Sequence, residues 1–400
     1  MLPWSGSIQI ERRTSVPVIE QIQANAEEII AIRRDLHEHP ELGMEEVRTS
    51  GIVARLLQEW GIETHTGIGK TGVVGVLKGK GDGRTIGLRA DMDALPIDEK
   101  TNLPFASKTP GVMHACGHDA HTAMLLGAAR YLSETRNFSG TAVFIFQPAE
   151  EGLGGARAML ADKLFDRFPC DEIYGMHNMP SGESGKVGVK PGQAMAGADF
   201  FDITIRASGS HAAMPHQSID PIVIGTSLVQ QLQSIVSRNV PATAPLVLSV
   251  TQIHAGAAYN VIPSDCTISG TMRYFDTDLA NMVRERMRNL CKGLEVGFGV
   301  EIDVENREIF DVLVNDEKLS HVMLDVAADV VGRENVAETP GVKTGSEDFA
   351  DMLRVIPGAY CTVSHMGDLP LHNDGFFLDE EVLPVGASIY ARLIERRTVA

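Results

Sequence analysis

Met113-His114-Ala115-Cys116-Gly117-His118-Asp119-Ala120-His121 gathers three histidines, a cysteine and an aspartate into nine residues. A Cys-x-His pair offers a thiolate and an imidazole two positions apart, and both are ligands for first-row metals. Gly117 between them lets the backbone turn so that both side chains face one point. Pro110-Gly111 marks a turn upstream, and the small-residue run from Thr122 to Tyr131 reads as a helix downstream. The stretch is therefore a loop entering a helix, where the positive helix end and free N–H groups favour a thiolate. One histidine in such a loop would signal only solvation; this density signals chemistry.

Working outward, Gly72 to Lys78 and Arg84 to Ala90 are β-branched and apolar and are separated by a glycine-rich turn, so they read as strands. The second runs into Asp91-Met92-Asp93-Ala94-Leu95-Pro96, two acids beyond a strand's C-terminal end, where open α/β sheets carry their chemistry. Downstream, a strand from Thr141 to Gln147 ends in Pro148-Ala149-Glu150-Glu151-Gly152. A helix over Gly155 to Leu160 follows, then a strand from Asp171 to Met176 ending in His177-Asn178. This alternation predicts an α/β fold with a doubly wound, mostly parallel sheet. Toward the N-terminus, one amphipathic helix is expected over Val18 to Leu36, stopped by Pro40 and Gly43, and another over Glu45 to Trp60, closed by Gly61. His37 and His39, beside Pro40 in a charged helix end, read as structural or supporting residues rather than ligands.

The texture changes after Lys190. Strands at Asp199 to Ala207, Pro245 to His254, Cys266 to Phe275 and Val300 to Val304 alternate with helices over Pro221 to Ser237 and Asp278 to Leu294. That order suggests a ferredoxin-like α+β domain. From Asn315 the α/β texture returns, with helices at Asp316 to Val331, from Ser346 with Glu347 and Asp348 in its first turn, and at Asp379 to Arg396. The second domain is thus inserted: residues 191–308 within a catalytic domain of 1–190 and 309–400.

A chain of 400 residues has room for about two or three domains. Its formal net charge of −18, without a basic stripe, argues against nucleic acid and anionic membrane as partners. No apolar run approaches a membrane span. Met1 to Ser15 is polar, with Arg12-Arg13 unaccompanied by an apolar core, and does not read as a signal peptide. Five cysteines form no CxxC pair and no regular framework, which fits reduced thiols in the cytoplasm.

Four segments carry candidate ligands: Cys116/His118, Glu150/Glu151, His177, and His372 in Leu371-His372-Asn373-Asp374. Each follows a predicted strand or a Gly/Pro break, which puts all four on one rim of the sheet. Adjacent side chains diverge on an extended chain, so Glu150 and Glu151 are expected to divide the work. One would bind metal; the other would take a proton from a water whose pKa the metal lowers to about 7. In the inserted domain, His211 sits in a Gly/Ser turn suited to hydrogen-bonding an oxyanion. Arg273, in an otherwise apolar strand, needs an anionic partner, either an internal acid or a substrate carboxylate.

With these residues identified, the chain resembles the two-metal aminoacylase and carboxypeptidase family, in particular its branch of hippurate hydrolases and auxin–amino-acid conjugate hydrolases. The resemblance runs from Asp35-Leu36-His37 to Asp379-Glu380. It is carried by Arg89-Ala90-Asp91-Met92-Asp93-Ala94-Leu95-Pro96, the run from His114 to His121, Phe146-Gln147-Pro148-Ala149-Glu150-Glu151, Gly175-Met176-His177-Asn178 and Ser346-Glu347-Asp348-Phe349. It implies that Cys116, His118, Glu151, His177 and His372 hold two divalent ions with Cys116 as the bridge. Glu150 would be general base and then acid, and Asp93 would orient a ligand from behind. It also implies a lid that forms a homodimer, with His211 reaching the partner's active site and Asn260 and Arg273 binding substrate. In the wider family a histidine stands at the Asp91 position and an aspartate bridges the metals. Here the ligands shift into the Cys-x-His loop, which leaves the metal open: a thiolate favours zinc, while the oxygen and imidazole ligands also accept manganese or cobalt. The implied function is a cytoplasmic amidohydrolase cleaving N-acyl-amino acids, such as hippurate-like or aryl-acetyl conjugates, to a carboxylic acid and an amino acid. An N-acetyl-amino-acid deacetylase or dipeptidase is the alternative. A non-catalytic binding protein on this scaffold is opposed by the intact Glu150 and full ligand set. No motif reads the acyl group.

Overall fold

The computed structural model describes residues 18–398; the Met1 to Ser15 stretch lies outside them. The first expected helix is two, α1 (Glu20–Ala24) and α2 (Ala26–Glu38). They are broken at Asn25, whose ψ of 10° leaves the helical path, as suits a residue that competes for backbone hydrogen bonds. Helix α3 (Val47–Glu59) ends as expected, with Gly61 at φ +69°. Strand β1 (Glu63–Ile68) has only Ile68 buried and so carries no alternation in sequence. Then come β2 (Gly72–Lys78), β3 (Thr85–Asp91), α4 (His118–Thr135), β4 (Thr141–Gln147), α5 (Gly155–Ala161), α6 (Leu164–Arg167), β5 (Glu172–Pro180), β6 (Val187–Val189) and β7 (Gly192–Met195). Strands β3 and β4 are buried at nearly every residue, which is why they read as continuous apolar runs: both faces of the sheet are covered.

The inserted segment holds β8 (Gly197–Arg206), β9 (Ser210–His211), α7 (Pro221–Asn239), β10 (Leu246–His254), β11 (Val261–Ile262), β12 (Asp265–Tyr274), α8 (Thr277–Phe298) and β13 (Glu301–Phe310). Its sheet runs β10-β12-β8-β13, all antiparallel. With α7 and α8 this is the ferredoxin-like order. Along β12, Cys266, Ile268, Gly270, Met272 and Tyr274 are buried while the residues between them are partly open. Ile224, Leu228 and Leu232 of α7 and Val283, Met287 and Cys291 of α8 pack on that face as a separate core. Asp220 and Asp276 cap the two helices by accepting the Ile222 and Leu279 N–H groups.

The chain leaves the insertion through β14 (Leu313–Asn315), antiparallel to β7. It continues through α9 (Glu317–Val331), β15 (Val336–Glu338), α10 (Phe349–Leu353), β16 (Gly358–His365) and α11 (Val382–Arg397). The large sheet has the order β1-β2-β4-β3-β5-β16-β6-β15. Its central strands β4, β3, β5 and β16 are parallel, with antiparallel pairs toward both edges. One face packs Leu88, Phe144 and Tyr174 against α4, α9 and α11; the other packs Val143, Ile145 and Ile173 against Met159 of α5 and Phe349 of α10. That is the doubly wound arrangement. Strand β16 was not expected, although Tyr360-Cys361-Thr362-Val363 after Pro357-Gly358 carries a strand signal. Helix α10 starts at Phe349, not Ser346; Glu347 and Asp348 lie ahead of it with their carboxylates on Arg89. Among the described residues, no helix is long and apolar enough to cross a membrane.

Candidate metal centre

The Cys-x-His loop closes over the C-terminal ends of β3 and β5. Gly117 takes φ +84° and His118 opens α4. His118 is fully buried. Its Nδ1 lies 3.0 Å from the Asp93 carbonyl and 3.1 Å from Asp93 Oδ1. Both are acceptors, so Nδ1 carries a proton, and Nε2, which has no hydrogen-bond partner, is the nitrogen left for a ligand role. Asp93 Oδ2 accepts the Glu151 N–H at 2.9 Å, tying this imidazole to the Glu150–Glu151 turn. His177 donates Nδ1–H to the Asn178 carbonyl at 2.6 Å and turns Nε2 to within 3.3 Å of Cys116 Sγ. His372 is tethered through its N–H to the Ala115 carbonyl and brings Nε2 to 3.1 Å from Glu151 Oε1. Ligand atoms of Cys116, His118 and His177 lie within 4.8 Å of one another, and so do those of Cys116, Glu151 and His372. The thiol is common to both groups.

One expectation fails. Glu150 and Glu151 do not diverge: with His118 they form a third group inside the same 4.8 Å limit. The premise of an extended backbone is wrong there, because Ala149 has φ +51°, Gly152 has φ +82° and the pair sits in a turn. Surroundings distinguish the two instead. Glu150 is buried beside Glu347 and Asp348; Glu151 is partly open and faces Cys116 and His372.

Charge in the cluster is unbalanced. Burial, then Glu347 and Glu151, push the Glu150 carboxyl well above the usual range. Burial and Glu151 raise the Cys116 thiol, although His118 acts against them. Burial opposes a charged His118, yet Asp91 and Cys116 outweigh it and hold its pKa well above the usual value. Contacts with Cys116 and then Glu151 push His372 up to about 10. Glu150, Cys116, His118 and His372 thus hold protons tightly, whereas burial and then His121 keep the His177 pKa well below its usual value.

Behind this rim is a buried network that the sequence reading left without a role. Arg89 is fully buried. It donates to Gln147 Oε1 at 2.9 Å, Asp91 Oδ2 at 2.7 Å, Glu347 Oε1 at 2.8 Å and Asp348 Oδ1 at 3.1 Å. Asp348 Oδ2 accepts the Ala156 N–H at 3.0 Å, which fixes the helix that follows the glutamate turn. An arginine within an apolar strand was the available signal, since a buried charge needs partners. His121 forms a further group with Asp91 and His118 within the same 4.8 Å, but both of its ring nitrogens are already engaged. His121 donates Nδ1–H to Asp91 at 2.6 Å and accepts from Asn178 at Nε2. Asp119 holds Arg33 and His37, and His39 bonds the Asp35 carbonyl, so both early histidines are structural.

The inserted unit brings two of its three candidates together. His211 pairs with Val261, the Ala212 N–H donates to the Asn260 carbonyl at 3.0 Å, and both residues line an open concavity of about 750 Å³. Neither shares a ligand group with Cys116 or Glu150. Arg273 lies on β12, bonded to Thr271 and the Met272 carbonyl. Among the described residues it makes no ion pair: Asp199, the nearby acid, is engaged by Arg284 at 2.6 Å.

A doubly wound sheet with cysteine, histidine and carboxylate side chains gathered at its parallel strand ends, interrupted by a ferredoxin-like unit, defines a two-part metallopeptidase-type fold. Residues 87–396 match peptidase family M20/M25/M40, and the chain belongs to that family. It is 41% identical to a hippurate hydrolase from Campylobacter jejuni over 94% of this chain and 98% of that one. It is also 41% identical to an N-acetylcysteine deacetylase from Bacillus subtilis, over 91% and 95% of the two chains. The crystal structure of the Bacillus subtilis YxeP protein, described as a dinuclear metal binding peptidase, superposes with a TM-score of 0.80 at 38% identity, covering 93% of this chain and 98% of that chain.

Proposed function

We propose that this protein hydrolyses the amide bond of N-acyl-amino acids, using two divalent metal ions held by Cys116, His118, Glu151, His177 and His372. The observation that carries the proposal is Cys116 Sγ standing in two ligand groups at once, beside the buried His118 Nε2, which has no hydrogen-bond partner, and the Glu151–His372 pair. Soft, imidazole and oxygen donors in one cluster suit zinc, and also manganese or cobalt. When bound, the metals supply Lewis-acid activation of water and of the scissile carbonyl. Asp93 keeps the His118 proton on Nδ1 and so keeps Nε2 free to ligate. Glu150, buried among acids and hence of high proton affinity, accepts a proton from the attacking water and delivers it to the leaving amine.

The substrate-binding part of the proposal rests on the inserted unit. His211 donates to the carbonyl oxygen as it gains charge. Asn260 and the unpaired Arg273 hold the substrate carboxylate. The proposed division is a catalytic domain of residues 1–190 and 309–400 and a lid of 191–308, which dimerises and offers His211 to the partner's site. The acidic chain and its unbonded cysteines support a cytoplasmic location. Deacetylation of N-acetyl-amino acids is the second reading, favoured by the deacetylase relative at equal identity. Both readings are tested by a panel of benzoyl, indole-acetyl and acetyl amino acids and dipeptides, assayed with zinc and with manganese. Preference for aryl-acyl substrates supports the first reading, and preference for acetyl substrates the second. Cleavage of none by metal-loaded protein refutes both.

A further inference from the structure

Asn178 follows Tyr174 and Met176 of β5 onto the sheet face covered by α4, at a position where a side chain of the core is expected. It is instead a buried amide with every polar atom engaged. Nδ2 donates to the Cys116 carbonyl at 2.7 Å and lies 2.9 Å from His121 Nε2. Its backbone N–H donates to the same His121 nitrogen, also at 2.9 Å. Oδ1 accepts from His365 Nε2 at 3.2 Å, and the Asn178 carbonyl takes the His177 Nδ1–H. His121 passes the chain on to Asp91, and Asp91 to Arg89.

The amide also sets the shape of the ligand turn. A Cβ built on Gly117 would lie 2.4 Å from Asn178 Nδ2 and 3.3 Å from Leu378 Cδ1. The left-handed Gly117 therefore permits both the turn and the close approach of Asn178 beneath it. Cys116 and His118 lie either side of that glycine, and His177 is the residue next to Asn178. One side chain thus touches the segment that carries the shared thiol while its own backbone fixes a third candidate ligand.

We infer that Asn178 is a positioning residue that presets the Cys116–His118 turn against His177, so that the ligand set is assembled before any metal arrives. This rests on the proposed metal-centre reading. Nothing in the assignment requires Asn178 to touch metal or substrate.

Asn178→Asp keeps the shape and the acceptor for His365 but has no N–H for the Cys116 carbonyl. Gly117→Ala drives a methyl group into the same contact from the other side. The experiment measures zinc dissociation constants of wild-type, N178D and G117A apo-protein by chelator competition, with circular dichroism and apo unfolding temperature recorded alongside. Loss of a partner that orients a ligand typically weakens metal affinity by roughly 10- to 100-fold. We expect that loss in each folded variant, for both ions together because Cys116 is common to the two groups. A merely structural role lowers the apo unfolding temperature and leaves the dissociation constants alone; that result overturns the inference, in either variant. If neither variant folds, amide exchange in the wild-type protein decides. The Ala120 and His121 N–H groups donate to the Gly117 carbonyl. A preset turn protects them equally with and without zinc, whereas protection that appears only with zinc overturns the inference. Wild-type protein that binds no divalent metal refutes the metal-centre reading instead.

Discussion

Replacing Arg89 with methionine removes one positive charge from a site with no solvent and several acids. Arg89 makes four hydrogen bonds, three of them to carboxylates at 2.7 to 3.1 Å. Methionine keeps the apolar volume and leaves Asp91, Glu347 and Asp348 buried without their cation. Breaking a buried ion pair by removing one partner costs about 3–5 kcal/mol. For a domain of this size that is a fall in unfolding temperature of roughly 6–20 °C. The loss depends on pH with a definite sign. In wild-type protein Asp91 is pulled up by burial but held well below the usual range by His118, Arg89 and His121. Without Arg89, Asp348, which burial already pushes well above its ordinary value, rises further, and Asp91 loses part of what holds it down. The folded variant then binds more protons than its unfolded state, so its stability falls as pH rises from about 4 through the raised values, by about 1.4 kcal/mol per pH unit for each group. Thermal unfolding at pH 5 and pH 8 reads both effects, and the deficit should be larger at pH 8. A deficit below about 1 kcal/mol at pH 8, or one equal at the two pH values, refutes the claim that Arg89 neutralises this network. Arg89→Lys should recover only part of the loss, since one ammonium cannot reproduce the guanidinium fork.

Other outcomes follow from the same geometry. Glu150→Gln should retain metal and lose at least roughly a hundredfold in turnover, whereas Glu151→Gln should lose metal; elemental analysis beside kinetics separates the two, and reversed results would exchange their roles. His211→Ala should lower turnover by about two to three orders of magnitude with metal content unchanged. If His211 serves the partner's site, mixing it with Glu150→Gln under subunit exchange restores activity; heterodimers without activity exclude that arrangement. Glu172, buried between Arg397, Arg84 and Tyr174, has a carboxyl that burial raises but these partners hold below its ordinary range. Its contribution to stability is therefore present above pH 4.5 and lost as pH falls through the lowered value. The stability gap between wild type and Glu172→Gln should close in acid, and a gap that persists at low pH contradicts the ion-pair account.

Much of the fold could be read because burial on both faces makes strands such as Thr141–Gln147 into unbroken apolar runs, and because Gly61 marks a helix end by local chemistry. Strand β1 could not be read, since an edge strand with one buried residue keeps no pattern. Of the proposed ligands, Cys116 and His118 were legible through the density of their loop, while Glu151, His177 and His372, each at a strand end or loop break, took their roles from the family resemblance. The glutamate pair was misread because the backbone there bends through positive φ at Ala149, a conformation that alanine does not announce. Arg89, Asn178, Glu347 and Asp348 stand inside quoted motifs, yet their work lies in contacts made across the sheet. Asn178 meets Cys116 62 positions away, and Arg89 meets Glu347 258 positions away. Local sequence holds no record of such pairings.

The account stands most directly on metal dependence of hydrolysis. Apo-protein, prepared by chelation and shown to be folded, is titrated with zinc or manganese while benzoyl-glycine and acetyl-amino-acid hydrolysis and bound metal are measured on the same samples. The account predicts no activity in the apo-protein and full activity as two ions bind per chain, with Cys116→Ala abolishing both. Undiminished hydrolysis by the metal-free protein, or two bound ions in the Cys116→Ala variant, would contradict it.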